Sequence, residues 1–321
     1  MIKSPLPISS LMDPVIVFGP TGQVGSVAAL TASSLGATVW LAMRDTSKSI
    51  PGLSQSSEEE SRFQRVYADL EKPSTVSQAI HTSSAKRAFI YLVHHATDHL
   101  AGAIKAMKDA GIEFVVFLSS FTIYTTQALR DIDQDDLLPY VHAQVEANLE
   151  DVFGADAHVA VRPGCFITNL LSEKEGIVKN DVKMYGADFE QDSVDPRDVG
   201  RVVGHILVSG PKKGQRKVYV YGPQVRSGYE CMFKIGQLLG KDLKITVLGA
   251  KEAYNGWIRA GMPLSFANYS VKTLGTKGPD KGNGERFPKY QEGVENVKLY
   301  TGKPPVEFDE WVEKNKALFD A

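Results

Sequence analysis

The sequence predicts an α/β protein built on a doubly wound parallel sheet, with a smaller mixed C-terminal region that shapes a substrate site. Short, nearly continuous apolar runs recur along the first half: Pro14 to Phe18 (PVIVF), Ala88 to Val93 (AFIYLV) and Phe114 to Leu118 (FVVFL). Such runs suit strands buried on both faces, as parallel strands are. Segments of helical spacing separate them, which implies right-handed crossovers. Finally, a glycine-rich turn, Gly19 to Gly25 (GPTGQVG), directly follows the first run. Together these features describe a Rossmann-type sheet.

The elements follow in order. Residues 1–12 read as an N-terminal tail, 13–165 as the dinucleotide-binding domain, and 166–321 as a C-terminal region integrated with it. A helix is expected from about Gln23 to Leu35, ended by Gly36. Thr38 to Met43 is the second strand, Ile50 to Ser61 a polar connection, and Arg65 to Ala68 the third strand. Helix signals begin at Pro73, and Asp98 to Ala110 has helical spacing closed by Gly111. Pro139 to Val152 reads as a further helix and His158 to Val161 as the sixth strand. Beyond residue 164 the alternation decays, although helical segments recur near Asp198 to Val208, Gly228 to Leu239 and Phe308 to Phe319. Gly275 to Gly284 reads as an exposed Gly/Lys-rich loop.

Bulk composition narrows the functional classes. With 321 residues, 43% hydrophobic and 23% charged, the chain has the make-up of a globular protein that needs no disulfide or structural metal. A net charge of −2 supplies no basic field for nucleic acid or an anionic membrane. Only Cys165 and Cys231 occur, which suits a reducing, cytoplasmic setting. Neither a signal peptide, a membrane-spanning run, a repeat nor a zinc-spaced Cys/His cluster is read. His94, His95 and His99 read as a solvated loop.

The turn Gly19, Pro20, Thr21, Gly22, Gln23, Val24, Gly25 is what a pyrophosphate requires. One glycine permits the tight bend, a second lets backbone N–H groups approach the phosphates, and the last allows helix and sheet to pack closely. The helix N-terminus adds its partial positive charge. Such a spacing alone is weak; the strand before it and the helix after it give it weight.

The end of the second strand selects the dinucleotide. An acid there would bind the ribose hydroxyl of NAD, whereas Arg accommodates the additional phosphate of NADP. Arg44 follows Met43 directly, Lys48 lies four residues on, and the intervening Asp45 leaves some room for NAD. A guanidinium binds phosphate in bidentate fashion and stacks on adenine, so NADP(H) is the expected cofactor. Asp69 and Leu70, after the third strand, are placed to meet the adenine edge, Asp69 serving otherwise as a turn or cap residue. Val93 and His94, at the end of the fourth strand, are expected beside the central riboses, because ligands of open α/β sheets bind at carboxyl ends of strands.

With GPTGQVG, the MRD after strand two, the YADL after strand three and FLSSF after strand five in place, the chain resembles the NmrA-like, or atypical short-chain, branch of the dehydrogenase/reductase superfamily. VRPGCFITN (161–169), VDPRDVG (194–200) and the closing YTGKPP (300–305) extend that resemblance over nearly the whole chain. The branch holds quinone, triphenylmethane dye, isoflavone-type and alkaloid reductases as well as proteins that only sense the cofactor, and a shared fold does not choose between them.

Many members carry a Tyr-x-x-x-Lys pair, in which Tyr gives a proton to a carbonyl and Lys lowers its pKa. Aligned on Val145 and Glu146, those positions hold Leu138 and His142, so the pair is absent. By resemblance to the quinone and dye reductases, His142 would sit near the cofactor ribose or the reacting centre, where an imidazole could donate a proton near neutral pH. Outside that resemblance a lone helix histidine is more often structural. Tyr140 is a second candidate acid, although on a helix it points elsewhere. Ser119 and Ser120 close the fifth strand, where the resemblance implies a substrate-binding serine, Ser120 by preference; local backbone bonding is the plainer use. Phe121 and Tyr124 would line the pocket beyond them. Gly164, Cys165 and Phe166, after the sixth strand, would offer backbone groups to the nicotinamide amide, with Asn169 anchoring the loop. Cys165 as a redox thiol is less natural than Cys165 as packing.

Hydride transfer to a quinone, iminium or conjugated cation needs no strong acid. The leading expectation is therefore an NADPH-dependent reductase of a small conjugated or aromatic substrate, and Tyr254, Trp257, Phe266 and Tyr269 suit such a pocket as well as an ordinary core. A non-enzymatic NADP(H) sensor with a protein partner, or a redox-neutral cyclase or isomerase, are the other readings.

Overall fold

The computed structural model describes residues 13–54, 58, 63–123, 126–276 and 286–320. Its centre is a seven-stranded sheet in the order β3-β2-β1-β4-β5-β6-β9. The strands are β1 (Val15–Phe18), β2 (Val39–Met43), β3 (Phe63–Tyr67), β4 (Arg87–Tyr91), β5 (Phe114–Leu118), β6 (His158–Pro163) and β9 (Lys217–Val220). Every neighbouring pair is parallel. The order reverses between β1 and β4, which opens a crevice at their carboxyl ends.

Alternation along each strand divides the core. Val15, Val17, Phe89, Val116 and Val161 face the helices Gln23–Ser34 and Pro196–Ser209. Ile16, Phe18, Ala88, Ile90 and Phe117 face Pro73–Ser83, Ala101–Asp109 and Leu137–Phe153. Burial on both sides is why these strands read as apolar runs rather than alternating patterns.

Two small ribbons stand apart: β7 (Asp181–Met184) with β11 (Lys244–Val247), parallel, and β8 (Glu190–Gln191) with β10 (Arg226–Ser227), antiparallel. They pack with the helices Gly228–Leu239 and Phe308–Lys314 around Ile177, Met232, Ile235 and Trp311. The seventh sheet strand, β9, was not anticipated. It has four residues and begins with an exposed lysine, so its pattern is too short to register.

Some boundaries move for local reasons. The helix expected from Asp98 starts at Ala101, because the Asp98 carboxylate accepts from the N–H groups of Leu100 and Gly102, each at 3.0 Å. The helix expected from Pro139 starts at Leu137, which places proline in its first turn where no donor is lost. Tyr124 and residues 277–284 of the expected Gly-rich loop lie outside the described residues.

Candidate functional site

Gly19 leaves β1 at φ +68°, a conformation that L side chains rarely adopt. Its carbonyl accepts from Gly22 N–H at 3.1 Å and closes the bend. That same carbonyl would lie 2.3 Å from a β-carbon on Gly25, so the helix can seat against the bend only with glycine there. Gly22 caps the helix Gln23–Ser34 without a side chain, and no acid occupies the first turn. The helix N-terminus therefore keeps its positive end for an anion. Gly19, Thr21, Gly22, Gln23, Val24 and Gly25 line one cleft with Phe89, Tyr91, Leu118, Phe166, Thr168 and Asn169. Thr168 Oγ1 donates to Gln23 Oε1 at 2.9 Å across it.

A second cleft of about 260 Å³ opens at the ends of β1 to β4, between Gly19, Thr21, Arg44, Lys48, Asp69, Leu70, Val93 and His94. Asp45 is occupied locally: its carboxylate accepts from Ser47 N–H at 3.0 Å and Ser47 Oγ at 2.6 Å, bonds that hold its pKa low. Arg44 remains exposed on the cleft wall. Asp69 accepts from Glu71 N–H at 3.2 Å and pairs with Lys72 at 3.5 Å, the turn role that was its plainer reading.

Beyond these lies a cavity of about 790 Å³. Ser119, Ser120, Phe121, His142, Gly164, Cys165 and Phe166 contribute one wall, Tyr185 and Phe189 another, and Phe266 and Tyr269 of the helix Leu264–Leu274 the third. His94 belongs to this cavity and to the second cleft, its ring edge-on to Phe266 at 5.3 Å. The three histidines do lie on the connection after β4, with His94 and His95 exposed, but each has a partner: His95 meets Glu71 at 2.9 Å, and His99 packs against Tyr140.

Several expected roles change. Tyr140 does not line the cavity; its ring turns edge-on to His99 at 5.3 Å, two helix positions away from His142. Leu138, at the position aligned above with the Tyr of the Tyr-x-x-x-Lys pair, lines the cavity. His142 does reach the cavity, but Nδ1 bonds to the Leu138 carbonyl at 2.8 Å and burial pushes its pKa down to about 4. A neutral imidazole that donates through Nδ1 leaves Nε2 as an acceptor, so the expected proton donor is absent at neutral pH. Ser119 turns its hydroxyl to Glu146, which forms a fully buried ion pair with Arg162 at 2.6 Å. Ser120 shares a hydrogen bond with Thr122 Oγ1 at 2.8 Å.

The loop after β6 is also spoken for. Gly164 N–H donates to the Val220 carbonyl at 3.0 Å, and Cys165 N–H donates to Asp192 Oδ1 at 2.7 Å. The N–H groups of Gly164 and Cys165 are thus engaged within the protein, whereas Phe166, the third residue expected beside the nicotinamide, lines both the cleft and the cavity. Asp192 Oδ2 accepts from Gly222 N–H at 2.8 Å, and a β-carbon on Gly164 would meet the carboxylate at 2.2 Å. Burial raises the Asp192 carboxyl to about 7. This buried acid joins the ends of β6 and β9, and nothing in the local sequence singled it out. Tyr91 was missed as well, although it lines both clefts and the cavity. Among the described residues no group of three or more His, Cys, Asp or Glu could hold a metal, and no helix is long and apolar enough to cross a membrane.

Residues 19–209 match the model of a family described as NAD(P)H-binding. The chain belongs to the NAD(P)H-binding family. Its NmrA-like character follows from the nitrogen metabolite regulation-like protein bik4 of Gibberella fujikuroi, 35% identical over 323 residues that cover 94% of this chain and 95% of that one. Among solved structures, the Citrobacter sp. triphenylmethane reductase complexed with NADP(H) superposes with TM-score 0.70 at 15% identity, covering 94% of this chain and 99% of that one. The NADPH-dependent quinone oxidoreductase of Escherichia coli superposes with TM-score 0.65 at 15% identity, covering 94% and 98%. At such identities these likenesses establish the α/β fold of this NAD(P)H-binding chain.

Proposed function

We propose that the protein transfers hydride from NADPH to a small conjugated or aromatic organic acceptor, such as a quinone or an iminium. The observation that carries this reading is continuity: Tyr91, Leu118, Phe166 and Asn169 line both the cleft at the Gly19 bend and the large apolar cavity. A dinucleotide whose phosphates rest on the bend would present its nicotinamide to that cavity, as ligands of open α/β sheets lie across the switch point. When bound, the nicotinamide supplies the hydride; the protein positions the partners and excludes water.

Residue roles follow from the geometry. The helix N-terminus at Gly22 to Gly25 holds the pyrophosphate. Arg44, with Lys48, meets the adenosine phosphate, Asp45 being occupied by Ser47. Thr21, Asp69, Leu70, Val93 and His94 frame the adenosine and its riboses. Phe166 walls the nicotinamide, and His142 Nε2 accepts a hydrogen bond from a ribose or substrate hydroxyl. Ser120 is the hydroxyl at the reacting end.

A non-enzymatic NADP(H) sensor is the second reading. It is favoured by the name of the Gibberella relative, which refers to nitrogen metabolite regulation. Loss of reduced-nicotinamide absorbance across a panel of quinones, iminiums and dyes separates the two. Turnover supports the reductase; a blank panel alongside tight NADPH binding overturns it in favour of the sensor.

A further inference from the structure

The large cavity has an unusual charge inventory. Its lining includes Glu173 as the sole carboxylate, and no Lys or Arg among the described residues. The two histidines present, His94 and His142, both have pKa values lowered by burial, so neither supplies a positive charge at neutral pH. Glu173 forms no ion pair among the described residues, and burial pushes its carboxyl up. A partly buried acid without a counter-ion is costly to maintain. The neutral Ser172 hydroxyl donates to Glu173 at 3.4 Å, but among the described residues the adjacent Lys174 makes no ion pair with it, and Lys179 pairs with Glu175.

The rest of the cavity complements that charge. Phe121, Tyr185, Phe189, Phe266 and Tyr269 present aromatic surface, and aromatic faces attract organic cations. Glu173 ends the 3₁₀ segment Ile167–Glu173, which follows Phe166 directly. Asn169, on the same segment, also lines the cofactor cleft. Asn169 and Glu173 are thus four residues apart on one 3₁₀ segment, about 8 Å along its axis, roughly the length of a fused ring system.

We infer that the acceptor is a conjugated organic cation, and that Glu173 is its counter-ion and the residue that selects it over neutral analogues. The inference rests on the hydride-transfer reading for its chemistry but on the cavity alone for its binding preference. The chemistry balances without an acid. Hydride adds to the electrophilic carbon of the C=N⁺ unit, the π pair moves onto nitrogen, the nicotinamide is oxidised, and no proton is exchanged. A site with Leu138 in place of Tyr and a neutral His142 needs no more than this.

N-methylacridinium and the equally sized neutral N-methylacridone test the inference by calorimetry on the NADP⁺-loaded full chain. The cation is expected to bind at least about tenfold more tightly than the neutral compound. Glu173→Gln should remove at least about tenfold of that affinity, leave N-methylacridone within about twofold, and leave NADP⁺ affinity unchanged. Glu173→Asp, which keeps the charge, should restore most of the preference. Equal affinity for the two compounds, or cation binding indifferent to Glu173→Gln, overturns the inference. Oxidation of NADPH by N-methylacridinium, read separately, judges the other claim. If the cation binds through Glu173 but is never reduced, the reductase reading fails and the cation site stands.

Discussion

The ring of Tyr91 fills the space that a β-carbon on Gly19 would occupy: the two would meet at 2.5 Å. The end of β4 thus presses on the bend after β1 at the point where the strand order reverses. Gly19→Ala meets this wall and also a left-handed backbone at φ +68°, which alone costs about 1–2 kcal/mol for an L side chain. Calorimetry should show NADPH affinity reduced at least about tenfold, with a matching loss of thermal stability. Unchanged affinity would mean the bend does not carry the phosphates.

Arg44 and Asp45 sit side by side, yet Ser47 holds the Asp45 carboxylate while Arg44 stays exposed at the cleft wall. Arg44→Ala should weaken NADPH by about one to two orders of magnitude, as loss of a charge-assisted phosphate contact does, and barely alter NADH. Equal losses for the two cofactors would remove the NADP preference.

His142 carries a pH signature of known sign. Its folded pKa, about 4, lies below the ordinary 6.5, so between those values the unfolded chain binds the extra proton. Its contribution to stability is therefore present above about 6.5 and lost as pH falls towards 4. Asp192 works in the opposite sense. Its carboxyl, raised to about 7 from 3.8, makes the folded state gain stability as pH falls through that window. Urea denaturation at several pH values should show His142→Gln flattening the acid-side loss relative to the parent. Parallel curves would show that the imidazole is not held neutral.

Arg162 and Glu146 are 1% and 2% exposed, and the pair also engages Ser119 and Tyr219. Arg162→Met alone leaves a buried carboxylate without its partner and should cost about 3–5 kcal/mol. The double variant Arg162→Met, Glu146→Leu should cost less than the single one. A double variant that is worse than either single change would show that the pair itself is the source of stability.

Tyr140→Phe should leave turnover within about twofold, since the phenol packs on His99 outside the cavity. A large fall in kcat would return Tyr140 to the catalytic set.

The parts of the molecule that local chemistry dictates were readable in the chain. The GPTGQVG bend, the apolar strands and Arg44 after β2 each follow from backbone or charge requirements that a short window contains. What escaped depends on distant partners. Tyr91 looks like one more apolar strand residue until β1 and β4 are side by side. Asp192 acquires meaning only when the ends of β6 and β9 converge on it. Glu173 sits in the charged run SEKEGIVK, and nothing within that run tells of the aromatic side chains that share its cavity. Even Tyr140 and His142 were separable on helix geometry, but the tautomer of His142 needed the Leu138 carbonyl to be in place.

One measurement bears most directly on the account: the electron density of a crystal soaked with NADPH. The pyrophosphate should rest on the amides of Gly22 to Gly25, the adenosine phosphate on Arg44, and the nicotinamide against Phe166 and His142 at the mouth of the cavity. An empty bend, or a cofactor whose nicotinamide points away from that cavity, would contradict it.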